Sequence, residues 1–90
     1  MPRFKIEVTH ENTRLECARA IEIFLTSGSH FLTNADWGCI DGEHKAWFFM
    51  DADNKDQAIM IVPPALRKDT KITQLTKFTM KDVEEMMKTH

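Results

Sequence analysis

The stretch from Glu43 to Ala52, Glu-His-Lys-Ala-Trp-Phe-Phe-Met-Asp-Ala, carries apolar side chains on both parities: Trp47 and Phe49 on one, Ala46, Phe48 and Met50 on the other. Side chains alternate across a strand, so a strand of this composition asks for cover on both faces and hence a central place in a sheet. A second strand-like run, Phe31 to Ile40, precedes it across Asp41-Gly42, a dipeptide favoured in two-residue type I′ hairpin turns. Such a turn predicts that Cys39 faces His44, Trp37 faces Ala46 and Ala35 faces Phe48. The opposite face then pairs Gly38 with Lys45, Asp36 with Trp47 and Asn34 with Phe49.

The remaining elements follow from periodicity and punctuation. Phe4, Ile6 and Val8 alternate with Lys5, Glu7 and Thr9, the pattern of a strand with one apolar face. Thr13-Arg14-Leu15-Glu16 has the form of a capping box and predicts a helix over Thr13 to Ser27, with Gly28 free to take the left-handed conformation that closes it. Asp53 or Asn54 caps a second helix through Ala58, Ile59, Ile61 and Val62, which Pro63-Pro64 stops, because proline lacks the amide and crowds the preceding turn. Lys71 to Phe78 reads as an edge strand. Thr79 starts a short amphipathic helix through Val83, Met86 and Met87.

A chain of 90 residues is expected to form a single domain, 1–90. Its 12 basic and 14 acidic residues are mixed along the sequence, leaving a net charge of -2 and no basic stripe of the kind that phosphate backbones require. Nucleic acid is therefore excluded as the expected partner. Two cysteines, Cys17 and Cys39, are too few for a disulfide scaffold and too far apart for a Cys-x-x-Cys site, which fits reduced thiols in a cytoplasmic protein. With apolar runs only a few residues long, neither a signal peptide nor a membrane partner is expected.

The order strand, helix, strand, strand, helix, strand, helix resembles the ferredoxin-like fold: an α+β, βαββαβ antiparallel sheet with two helices on one face, here followed by a short C-terminal helix. In that fold the sheet order is fourth, first, third, second, which places Ala46 to Met50 centrally. Trp47 and Phe49 then lie on the face the helices leave open, and a pair of exposed aromatics there asks for a partner. In length, in the Pro63-Pro64 break and in the extra C-terminal helix the chain is similar to the dimeric α+β barrel superfamily. That resemblance implies a homodimer through the open sheet face. Members include cofactor-free monooxygenases, haem enzymes, isomerases and proteins of unassigned role, so fold leaves function open.

Several kindred folds lack their signatures here. A copper chaperone needs a Cys-x-x-Cys near His10-Glu11-Asn12, and an acylphosphatase needs an arginine in a Gly-rich first loop, whereas Arg14 falls in the helix pattern. An RNA-recognition motif needs basic surroundings for its stacking aromatics, and the charge balance denies them.

The expected ligand-binding residues are Glu7, Asn34, Asp36, Trp47 and Phe49, lining an apolar cavity between two sheets that takes a small organic molecule. Dimer packing with these polar groups bonded to one another is the plainer alternative. In an enzyme of the monooxygenase or isomerase kind, Asp36 and Glu7 would be the acid or base, their pKa values raised beside the indole. Cys39 beside His44 reads either as a nucleophile and its base or as a buried thiol under a helix. His10 and His44, with Cys39 near them at one end of the sheet, also fit a zinc or copper protein, against a reading as histidines that merely cap the sheet end. The assignment adopted from the sequence names no metal and no cofactor. His30 and His90 are expected in solvent, and Met60, Met80, Met86 and Met87 in a core or a dimer contact.

Overall fold

A computed structural model describes residues 1–88, so His90 lies outside the described residues. The chain is an α+β structure on one four-stranded antiparallel sheet: β1 (Arg3–Thr9), β2 (Asp36–Trp37), β3 (Lys45–Asp51) and β4 (Thr70–Leu75) in the order β2-β3-β1-β4. The doubly apolar strand β3 is central, pairing with β1 from Arg3↔Asp51 to Thr9↔Lys45. Helices α1 (Arg14–Thr26), α2 (His30–Thr33), α3 (Lys55–Ile59) and α4 (Met80–Lys88) complete the described elements, with 3-10 turns at Cys39–Asp41 and Pro64–Asp69. The short α2 and the two 3-10 turns depart from a plain βαββαβ order. No helix among the described residues is long and apolar enough to cross a membrane.

Helix α1 begins where its cap residue dictates. Thr13 takes extended backbone angles and its Oγ1 accepts from the Glu16 amide at 3.1 Å, satisfying one of the free donors of the first turn. The Glu16 carboxylate does not reach back as a capping box would have it; it pairs with Arg19 at 2.8 Å instead. Gly28 closes the segment at φ 79°. The even positions of β1 and β3 face the helices, so Phe4, Ile6, Val8, Ala46 and Phe48 form the core with Phe24 of α1, Leu32 of α2, Ala58 of α3 and Val62. Phe24 stands edge-on to Trp37 at 4.9 Å and to Phe48 at 6.3 Å between centroids, the offset geometry that aromatic quadrupoles favour.

The long second strand is overturned. Residues expected to be extended from Phe31 onward instead make a helical turn, because Ser29 Oγ accepts from the Leu32 amide and Thr33 Oγ1 donates to the Ser29 carbonyl at 3.0 Å. Hydroxyl side chains offer the backbone these local bonds in competition with a ladder, and the turn buries Leu32. Only Asp36–Trp37 remains extended, yet the register holds: Asp36 faces Trp47 and Trp37 faces Ala46. The type I′ turn is also absent, since it needs two residues at positive φ and only Gly42, at 86°, has one. Cys39–Asp41 winds a 3-10 turn that Gly42 closes by donating to the Cys39 carbonyl at 3.1 Å. Cys39 therefore does not face His44 across a ladder, and Asn34 does not face Phe49.

At the C-terminal end β4 stops at Leu75, short of the expected Phe78. Helix α4 opens on a reciprocal box: the Thr79 amide and hydroxyl donate to Asp82 Oδ2 at 2.8 and 3.0 Å, and the Asp82 amide donates to Thr79 Oγ1 at 3.2 Å. None of its residues is buried, and the radius of gyration, 16.1 Å, exceeds the roughly 12 Å of a compact domain of this length. Met60, Met80, Met86 and Met87, expected in a core or a contact, are exposed in the monomer.

Candidate metal centre

The β1–β3 ladder runs one pair past the strands, with the His10 amide donating to the His44 carbonyl at 3.0 Å. The two histidines thus stand opposite each other at one end of the sheet, with ring centroids 5.6 Å apart. The 3-10 turn that stands in place of a type I′ turn brings Cys39 to the same place: its Sγ lies 3.0 Å from His10 Nε2. One donor atom from each of His10, Cys39 and His44 lies within 4.8 Å of the others.

Hydrogen bonding fixes the state of the first of these donors. His10 Nδ1 lies 3.0 Å from the Glu11 carbonyl oxygen, which can only accept, so Nδ1 carries the proton and Nε2 keeps its lone pair. That lone pair is the atom next to Cys39 Sγ, and the thiol hydrogen donates to it. A backbone carbonyl holding one ring nitrogen while the other is free is how proteins orient a metal-binding imidazole. His44 Nδ1 is buried and has no hydrogen-bond partner among the described residues. An orphaned buried acceptor or donor costs about 1–3 kcal/mol, a cost that a bound ligand removes.

A cavity of about 450 Å³ opens beside these groups, lined by Cys17, Ala18 and Ile21 of α1 together with Cys39, Ile40 and His44. Both cysteines are free thiols and half-buried. Burial pushes the Cys39 thiol up to about 11, and the nearby Cys17 side chain adds to the rise. A catalytic thiol needs the opposite shift, so Cys39 is not poised as a nucleophile at neutral pH. Cys17 was not singled out by the sequence beyond its count; only its place one turn inside the Thr13 cap tied it to this end of the molecule.

The residues expected on the open sheet face are brought together in part. Trp47 Nε1 donates to Glu7 Oε1 at 2.9 Å, and the indole packs against Gly38, where an added Cβ would sit 2.7 Å from the ring. Glu7 is held below its ordinary value, first by that indole bond and then by Lys5, Lys45 and Lys71, outweighing its partial burial. The raised pKa expected for Glu7 is thus reversed, because a donor aimed at the carboxylate stabilises its charge. Asp36 is exposed opposite Trp47, and Phe49 is exposed under the Arg3 guanidinium at 5.0 Å. Asn34 ends α2, donating through Nδ2 to the His30 carbonyl at 2.8 Å, and is not part of the sheet. His30 is exposed, as expected.

Compared with protein-family models, curated sequences and solved structures, the chain has no significant match, so its chemistry rests on this geometry alone.

Proposed function

We propose that this protein binds a thiophilic transition-metal ion, zinc or Cu(I), through His10, Cys39 and His44. The observation that carries the reading is the convergence of three donors within 4.8 Å, with His10 already in the tautomer that presents Nε2. Zinc bonds of about 2.0–2.1 Å to nitrogen and about 2.3 Å to sulfur put neighbouring tetrahedral ligands roughly 3.3–3.8 Å apart, a closure of about 1 Å from the spacing found. Two imidazoles and a thiol select soft and borderline ions; calcium and magnesium want oxygen. The ion replaces the thiol proton of Cys39 and satisfies the orphaned nitrogen of His44. This reading replaces the sequence assignment of no metal.

The test is a zinc titration of the reduced protein against a chromophoric chelator. Stoichiometric uptake that is lost in His10→Ala and Cys39→Ser supports the centre; uptake unchanged in both variants overturns it.

The sheet face supports a separate reading on a different observation. The strand order β2-β3-β1-β4, with helices over one sheet face, supports reading the chain as a ferredoxin-like subunit that pairs with a second copy. Exposed Phe49 stands there amid both signs of charge, Arg3, Lys5 and Lys71 against Asp36 and Asp51, so two copies related by a two-fold axis can offer opposite charges to each other. A small organic ligand between the sheets remains the companion proposal, with Glu7 and Trp47 in its wall.

A further inference from the structure

Resting on the metal-binding reading, we infer that Cys17 is the fourth donor of the centre, so that a closed Cys2His2 set with no open coordination position holds the ion. Four separate segments then meet at one point: the end of β1 at His10, the first turns of α1 at Cys17, the 3-10 turn at Cys39 and the approach to β3 at His44.

Three observations argue for Cys17 as the added donor. Cys17 lines the cavity that Cys39 and His44 also line, standing outside the three donors that already lie within 4.8 Å of one another, so that ion binding draws its thiol inward from the cavity wall. Its backbone is fixed, since the Cys17 amide donates to the Thr13 carbonyl at 3.0 Å inside a capped helix. Ala18, Ile21 and Ile40 make much of the remaining wall apolar, with Asn12, Thr13 and Arg14 completing it. Charge points the same way. Zinc with two neutral imidazoles and one thiolate carries a net positive charge, whereas a second thiolate makes the centre neutral, and a partly buried apolar wall with Arg14 at its edge favours the neutral form. Two sulfurs and two nitrogens in a closed shell are the donor set of structural zinc, in which the ion ties chain segments together, rather than of catalytic zinc, which keeps a water.

Cobalt(II) is the probe, added to the full chain under reducing, oxygen-free conditions, because sulfur-to-cobalt charge-transfer absorption reports thiolate ligation and the visible bands report tetrahedral geometry. Wild type is expected to bind one ion with tetrahedral bands, with the charge-transfer intensity falling by about half in Cys17→Ser and in Cys39→Ser and vanishing in the double variant. Cys17→Ala repeats the test where serine disturbs folding, with far-ultraviolet circular dichroism as the check. A Cys17→Ser spectrum identical to wild type overturns the fourth ligand while leaving a His10, Cys39, His44 centre standing. No cobalt or zinc uptake by wild type overturns the metal reading itself, and the fourth ligand with it.

Discussion

The Sγ of Cys39 lies 3.0 Å from Nε2 of His10, a contact made between groups 29 positions apart by a 3-10 turn on one side and a ladder bond on the other. Because the pair is assembled only in the folded chain, an ion bound there stabilises the fold by mass action. At free zinc one hundred times the dissociation constant this gives about 2.7 kcal/mol, or on the order of 10 °C in the unfolding midpoint of a domain this small. Thermal unfolding with and without zinc reads it directly: His10→Ala is expected to abolish the shift, and a shift retained in full there would place the ion elsewhere.

The neighbouring thiols of Cys17 and Cys39 set up a chemical competitor to the metal. Hydrogen peroxide takes two hydrogens from the pair, giving one disulfide and two waters. Intact mass of the metal-free protein after peroxide is expected to fall by two hydrogens, with a peptide linking the two cysteines. Zinc-loaded protein is expected to resist, because its sulfur lone pairs are engaged. Equal oxidation rates with and without zinc count against thiolate ligation.

The Glu7–Trp47 bond makes a third prediction, independent of the metal. The indole donor favours the charged carboxylate, so the native value lies below the ordinary 4.5. A group depressed in the fold stabilises it fully above the unfolded value, and that contribution is lost as pH falls through the native one. Glu7→Gln is therefore expected to be less stable than wild type near neutrality, by about 1 kcal/mol for a part-exposed charged hydrogen bond, and the gap closes in acid. Urea midpoints against pH test this; a gap that widened on acidification would contradict it.

How far the sequence carried these conclusions depends on what set each feature. The central place of β3 was legible because burial dictates composition on both parities, and the α1 boundaries were legible because Thr13 and Gly28 act locally. The second strand is not legible: Phe31 and Thr33 are strand formers by type, but Ser29, Thr33 and Asn34 satisfy the backbone locally and wind it into a turn. At the centre itself, His10 opposite His44 followed from strand pairing. Cys17 did not, since its approach to Cys39 depends on how α1 lies over the sheet, which no local pattern encodes.

Phe49, exposed on the open sheet face, tests the pairing of two copies. Sedimentation equilibrium of wild type is expected to show a dimer, and Phe49→Glu a monomer that keeps its circular dichroism, because a carboxylate desolvated against a facing sheet costs several kcal/mol unless paired. Phe49 is the better probe than Trp47, whose ring also covers Gly38 and bonds Glu7 within one copy. Wild type running as a monomer would leave Phe49 and Arg3 as an exposed pair without a second copy.

Gly38 links the sheet face to the metal centre. A Cβ there would meet the Trp47 ring at 2.7 Å on one side and the Glu43 carbonyl oxygen at 2.8 Å on the other, and the carbonyl belongs to backbone that cannot swing away. Gly38→Ala is expected to cost about 1–3 kcal/mol by overpacking. Relief of the clash must push the turn that begins at the next residue, Cys39, so zinc affinity falls as well. Gly28→Ala serves as the contrast: nothing stands within 4 Å of its added Cβ, and only the positive φ of 79° is strained, at about 1–2 kcal/mol. Loss of zinc affinity in Gly38→Ala but not in Gly28→Ala would tie the ion to the 3-10 turn; equal effects would mean that affinity follows global stability instead.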